Sequence, residues 1–274
     1  MRNDAVEERK TLDASLFLHV TLLLTLCCLL PPHLSLAAGQ QTDTSERRPA
    51  GSGSSRPKYI PLAEFGPEDV GRDTPRDWRE LTFDPDNIPI RSRYTVVEKD
   101  GEYVLRAHTD RGASALFHPV EADPQEYPYI AWRWRVEQHF PRGDGAAKSG
   151  DDYPARLYIA FKYDPSRVGL WTRMKFRMAK GRSDYGEYPP LWALNYVWGN
   201  TLKENTWISN PWEERSKMIA VRSGPEGTGE WHWEVRNYLK DFTHIIGGEP
   251  TPVHFVAVMI DGDNTESKGT AYFD

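Results

Sequence analysis

From Tyr59 onward the chain is a series of short strand-type runs broken by turn residues, with no internal repeat and no long helical period. The runs include "SRYTVVEKDGEYVLRAHTD", "YIAWRWRVEQ", "ARLYIAFKYD", "PLWALNYVWGN", "KMIAVRSG", "EWHWEVRNYL", "PVHFVAVMIDGDN" and "TAYFD". In a strand, successive side chains point to opposite faces, so an alternating run buries one face and needs a second layer to bury it against. The first run is also a hairpin: Val96 and Val97 lead into Lys99-Asp100-Gly101, and Asp-Gly favours a tight two-residue turn. The pattern predicts an all-β fold, an antiparallel β-sandwich of the jelly-roll kind, with at most one short helix. That helix falls in Glu234 to Gly248, where Val235, Tyr238, Leu239 and Phe242 have helical spacing and Gly247 can end it.

The first 38 residues read differently. A polar start, Met1 to Asp13, leads into the apolar run Leu16 to Leu30 and then "PPHLSLAAGQQ", where Ala37 and Ala38 suit a signal-peptidase cut. The run is too short, and too closely followed by prolines, for a good membrane span. Residues 1–38 are therefore expected to be a signal peptide, although Arg2, Arg9 and Lys10 do not outweigh Asp4, Glu7, Glu8 and Asp13. Residues 39–57, rich in Gly, Ser and Pro, read as a disordered linker, and 58–274 as a single sandwich domain. This implies an exported protein, periplasmic or secreted in a bacterium, with no stable membrane span in the mature form. Both cysteines, Cys27 and Cys28, fall inside the signal. The mature protein would then have no disulfide, no thiol nucleophile and no cysteine metal site. A formal net charge of −6 argues against nucleic acid or an anionic membrane surface as a partner.

The 10 Trp and 13 Tyr must go somewhere, and strand periodicity assigns them to faces. In "AWRWRV", Trp132 and Trp134 share one face and are expected in the core, leaving Arg133 and Arg135 outside. In "LWALNYVWGN", the face with Ala193, Asn195 and Val197 reads as the tighter, buried one. Leu194, Tyr196 and Trp198 are then expected on the other side, either as a second core layer or as a stacking wall for a sugar ring.

Acids gather at two strand ends. Asp151 and Asp152 precede "ARLYIAF", with Arg156 four residues beyond Asp152 and on the strand face of Asp152 and Tyr158. Asp261, Asp263, Asn264 and Thr265 follow "VHFVAVMI". If those strands are antiparallel neighbours, the two clusters meet. A carboxylate–guanidinium clasp is the structural reading. The functional reading is a ligand pocket of Asp152, Arg156, Asn195 and Asp261 walled by Tyr158, Tyr196 or Trp198. Asp261, Asp263 and Asn264 also resemble oxygen ligands for Ca²⁺, but no glutamate completes a calcium loop, and an Asx-type turn explains the same residues. No other cofactor is implied. The sequence has no nucleophile elbow, no phosphate-cradling loop, no dinucleotide fingerprint and no paired-histidine metal spacing.

The blocks "AWRWRVEQ", "GDDYPARLYIAF", "LWALNYVWGN", "KMIAVRSG", "DGDNT" and "AYFD" resemble a family of exported bacterial proteins catalogued as a domain of unknown function, over roughly Phe83 to Asp274. More distantly, the opening hairpin, "ASALFHPV" and the closing "AYFD" are similar to galactose-binding-like sandwiches, the fold of many carbohydrate-binding modules. The resemblance implies a fold and a compartment and points to a ligand class. The expected function is non-catalytic binding of a carbohydrate or other polyhydroxylated cell-envelope ligand. The alternatives are a glycan hydrolase or lyase using Asp152 and Asp261, and an envelope scaffold.

Overall fold

A computed structural model describes residues 58–72, 74–82, 88–180 and 188–274, and Arg56–Asp274 forms one compact unit. The expected signal segment 1–38, with Cys27 and Cys28, and the linker 39–57 lie outside the described residues. Strands run in chain order as β1 (Arg79–Leu81), β2 (Arg93–Lys99), β3 (Glu102–Asp110), β4 (Ala113–Ala122), β5 (Tyr129–Val136) and β6 (Arg156–Phe161). They continue as β7 (Trp192–Gly199), β8 (Trp207–Ser209), β9 (Ser216–Ser223), β10 (His232–Asn237), β11 (Val253–Asp261) and β12 (Lys268–Phe273). Two helices interrupt them, α1 (Leu170–Lys180) and α2 (Tyr238–Ile245).

The strands form two sheets, one of seven in the order β1-β4-β11-β6-β7-β9-β8 and one of five in the order β10-β5-β12-β3-β2. Their inner faces pack into one core. Leu157, Ile159, Leu194, Tyr196, Trp198 and Val258 come from the first sheet; Val96, Leu105, Trp132, Trp134 and Phe273 come from the second. The expected all-β sandwich is what the chain forms. Between the named strands pairing is antiparallel with one exception: β7 and β9 run parallel, because the segment between them crosses over and returns β8 to the far edge of β9.

Local chemistry explains several elements. Asp100 and Gly101 have φ of 55° and 85°, as a type I′ turn requires, and this fixes the β2–β3 register with Lys99 opposite Glu102. Trp132 and Trp134 are buried while Arg133 and Arg135 face outward, as the alternation predicts. The helix expected between Glu234 and Gly248 forms, but later than its spacing suggests. Glu234 to Asn237 stay in β10, Asn237 Oδ1 caps the helix by accepting from Lys240 N at 2.9 Å, and Gly247 (φ 89°) lies just beyond its end. Helix α1 is a correction to the single-helix expectation. Its residues, "LWTRMKFRMAK", are mostly good helix formers with no β-branched run.

In β7 the face expected to be the tighter one turns away from the main core, and of the two alternatives for Leu194, Tyr196 and Trp198 the core layer is the one that forms. Leu194, Tyr196 and Trp198 fill the space between the sheets, where Trp132 meets Tyr196 at 5.5 Å and Trp134 meets Trp198 at 6.1 Å between ring centres. Ala193, Asn195 and Val197 face away from that core. They are buried all the same, Val197 by packing with Tyr153, Met218 and Ala220 in a second small cluster. With both faces covered, the larger side chains take the larger gap.

Candidate functional site

The two acidic strand ends do meet. β6 and β11 are antiparallel neighbours with Met259 opposite Arg156, so the start of one lies beside the end of the other. Arg156 is fully buried there. Its Nε donates to Asp261 Oδ1 at 2.8 Å and its Nη2 to Asp261 Oδ2, the fork-on-carboxylate arrangement. Nη2 also donates to the Asp151 carbonyl at 2.6 Å, and the guanidinium lies 4.3 Å from the centre of the Tyr153 ring. Tyr153 N donates to Asp261 Oδ1 at 3.2 Å. Burial works against the Arg156 cation, but Asp151 and Asp261 beside it outweigh that and hold it charged. Burial likewise pushes the Asp151 and Asp261 carboxyls up, and Arg156 opposes both shifts. The two-nitrogen pairing is that of an ionised Asp261.

Asp152 serves a different partner. Its Oδ1 accepts from Asn264 N at 3.2 Å and Asn264 Nδ2 at 3.1 Å. Its Oδ2 accepts from Thr265 N and Thr265 Oγ1, both at 2.6 Å. The turn after β11 is therefore held by a carboxylate from another part of the chain. Gly262 lets that turn close, since a Cβ there would collide with the Ser267 carbonyl oxygen.

One oxygen each from Asp152, Asp261 and Asp263 lie within 4.8 Å of one another. A carboxylate offers about four lone-pair sites. All four of Asp152 are taken by donors, and Arg156 and Tyr153 take three of Asp261. Asn264 turns its NH₂ toward Asp152. Of the expected Ca²⁺ ligands, Asp261 and Asp263 thus come close together, but Asp261 already pairs with a guanidinium and Asn264 with Asp152. The arrangement fits a clasp better than a metal centre.

The remaining predicted residues separate. Tyr158 flanks Arg156 on the outer face of β6, where burial raises its phenol to about 12. Asn195 lies opposite Tyr158 on that face, fully buried, and neither its Nδ2 nor its Oδ1 has a partner. Tyr196 and Trp198 cannot form a stacking wall, because both are core residues. Tyr196 OH donates to Asp241 Oδ2 at 2.8 Å and Trp198 Nε1 to the Gly224 carbonyl at 3.0 Å. Near the start of β11, far from the clasp, a cavity of about 300 Å³ is lined by residues that include Phe117, Lys162, Val253 and Phe255.

An exposed aromatic surface lies elsewhere, on the outer face of the five-stranded sheet. Trp233 on edge strand β10 stands opposite Arg133 of β5 and is 66% exposed. The Arg133 guanidinium lies 4.8 Å from the centre of the Trp231 ring and 5.6 Å from that of Trp233. It is held there by Glu102 and by Asp274, whose Oδ2 accepts from Nε at 2.7 Å. Trp231 also meets Tyr272 at 6.2 Å and donates to Asp100 Oδ2 at 3.1 Å. Val235 and Tyr129 extend the exposed strip along the same edge. The signal was present in "EWHWEV": its alternation puts Trp231, Trp233 and Val235 on one face and buried Glu234 on the other, the reverse of the usual pattern.

Residues 76–274 match a family model described as "Protein of unknown function (DUF3047)". Among solved structures, the family 11 xylanase from Neocallimastix patriciarum is 8% identical, with 74% of this chain and 94% of that one covered and a TM-score of 0.33. Two mutants of ENZbleach xylanase, 8% and 10% identical, each cover 72% of this chain and 83% of their own at a TM-score of 0.31. Likenesses this faint carry no argument about what this chain does. No curated protein matches it.

Proposed function

The chain belongs to this family of unknown function, and we propose that its sandwich is an exported, non-catalytic module of a bacterial envelope that binds a polyhydroxylated glycan on the outer face of the five-stranded sheet. The observation that carries the reading is Trp233, a large ring 5.6 Å from a guanidinium that is itself held by two carboxylates, and left open to solvent. An indole on an edge strand that is covered only by one guanidinium is a poor use of apolar area unless a partner covers the rest of it. The apolar C–H face of a pyranose suits an exposed π surface, and Arg133, Glu102 and Asp274 beside it supply donors and acceptors for hydroxyls. A hydrolase working through Asp152 and Asp261 has less support, because structural donors take all four acceptor sites of Asp152 and three of those of Asp261.

The test is affinity electrophoresis of the protein through a panel of soluble plant and bacterial polysaccharides. At least one should retard it, and Trp233→Ala should weaken that retention about tenfold or more, equivalent to ~1.4 kcal/mol. Retention unchanged in Trp233→Ala, or no retention by any polysaccharide, overturns the reading.

A further inference from the structure

Among the described residues, helix α1 is half-buried along one side only. Phe176 stacks on Tyr163 with ring centres 4.4 Å apart, and Thr172 and Phe176 are its only half-buried residues. At about 100° per residue these two lie opposite Leu170, Trp171, Met174 and Met178, which share an arc of roughly 100°. All four are exposed, Trp171 by 76% and Met178 by 62%. Arg173 and Arg177 border that arc on one side and Lys175 on the other, with Lys180 next to Arg173 around the helix. No acidic residue occurs between Leu170 and Lys180.

We propose that α1 docks this protein onto the surface of a bilayer containing anionic phospholipid, with Trp171, Met174 and Met178 entering the headgroup region. An apolar arc of indole and flexible thioethers, bordered by cations, is the composition of helices that lie in a membrane interface. The helix is too short to span: at 1.5 Å per residue it reaches ~16 Å, against a hydrocarbon core of ~30 Å. Charge selects among occupants. The chain as a whole carries −6, so its own surface repels an anionic bilayer, while α1 alone is strongly cationic. A second copy laid on the same face would bring like charges together, which disfavours self-association.

Among the described residues every strand, helix and core side chain lies between Leu62 and Phe273, so residues 58–274 are the part to test, without the apolar N-terminal run. The experiment is sedimentation of residues 58–274 with phosphatidylcholine vesicles, with and without roughly a third phosphatidylglycerol. Binding is expected only with phosphatidylglycerol and should weaken as salt rises. Arg173→Gln with Arg177→Gln should reduce it about tenfold. Trp171→Ser with Met178→Ser should reduce it comparably while keeping its salt dependence. These positions are exposed, and a circular dichroism melt confirms that each variant is folded. Absence of phosphatidylglycerol-dependent binding, or binding unchanged in both variants, overturns the proposal. So does a wild-type dimer that Trp171→Ser converts to monomer, which would assign the face to a second copy.

Discussion

Arg156 and Asp261 face each other across the β6–β11 pair, joined through both guanidinium edge nitrogens and both carboxylate oxygens, with neither side chain reaching solvent. This pair ties the entrance of one central strand to the exit of its neighbour. Breaking one partner leaves the other buried and uncompensated. Asp261→Asn should therefore cost ~3–5 kcal/mol in urea denaturation. The double change Arg156→Leu with Asp261→Leu should cost at least ~1 kcal/mol less than the sum of the two single changes. Additive losses would show that the two groups act separately.

Asp263 lies beside that pair and beside Asp152. Burial, then the Asp152 charge, raises its carboxyl above the usual range. The sign follows: the folded state disfavours the charged form, so the stability this group leaves intact at low pH is lost as pH rises through its folded value. Asp263→Asn should stabilise the protein at neutral pH, and the gain should vanish below the ordinary carboxylate range. Denaturation midpoints of both proteins between acid and neutral pH check this. A gain that does not change with pH would point to a cause other than charge.

Asn195 is a buried amide with neither polar atom bonded. Leaving such groups unmade costs about 1–3 kcal/mol, whereas an apolar residue of similar size avoids that cost. Asn195→Leu should raise the melting temperature. A marked fall would reveal a partner for the amide, such as an ordered water.

Two tryptophans should separate stability from binding. Trp198→Ala empties a fully buried site and should cost ~3–5 kcal/mol. Trp233→Ala removes an exposed ring and one cation–π contact, and should cost no more than ~1 kcal/mol. Thermal unfolding of the pair is the check; a larger loss for Trp233 would make it a structural residue.

The parts of the fold written in local pattern were legible. Asp100-Gly101 specifies its turn, and the alternation in "AWRWRV" assigns Trp132 and Trp134 inward without further information. The meeting of Asp152 and Asp261 also followed, because strand ends in a sandwich share a rim. Three features were hidden, each for a physical reason. In β7 both faces are buried, so alternation shows two classes of side chain without saying which class faces the other sheet. In α1 the apolar arc faces outward, so its periodicity reports no core. Trp233 sits on a strand whose buried face carries Glu234, paired to Arg222 at 2.7 Å and reached by Trp134 Nε1 at 3.2 Å, and that inversion makes the exposed face resemble the interior one.

Strand order has a consequence for how the molecule is made. β11 lies between β4 and β6 in one sheet, and β12 lies between β3 and β5 in the other. A nascent chain that has left the ribosome only as far as Pro252 lacks an interior strand in both layers at once. Its early hairpin can form, but the two halves of each layer lack the strand that hydrogen-bonds them together. Acquisition of the native state must then wait for β11 and β12 to be synthesised. It should also be slow, since the closing contacts join residues far apart in sequence.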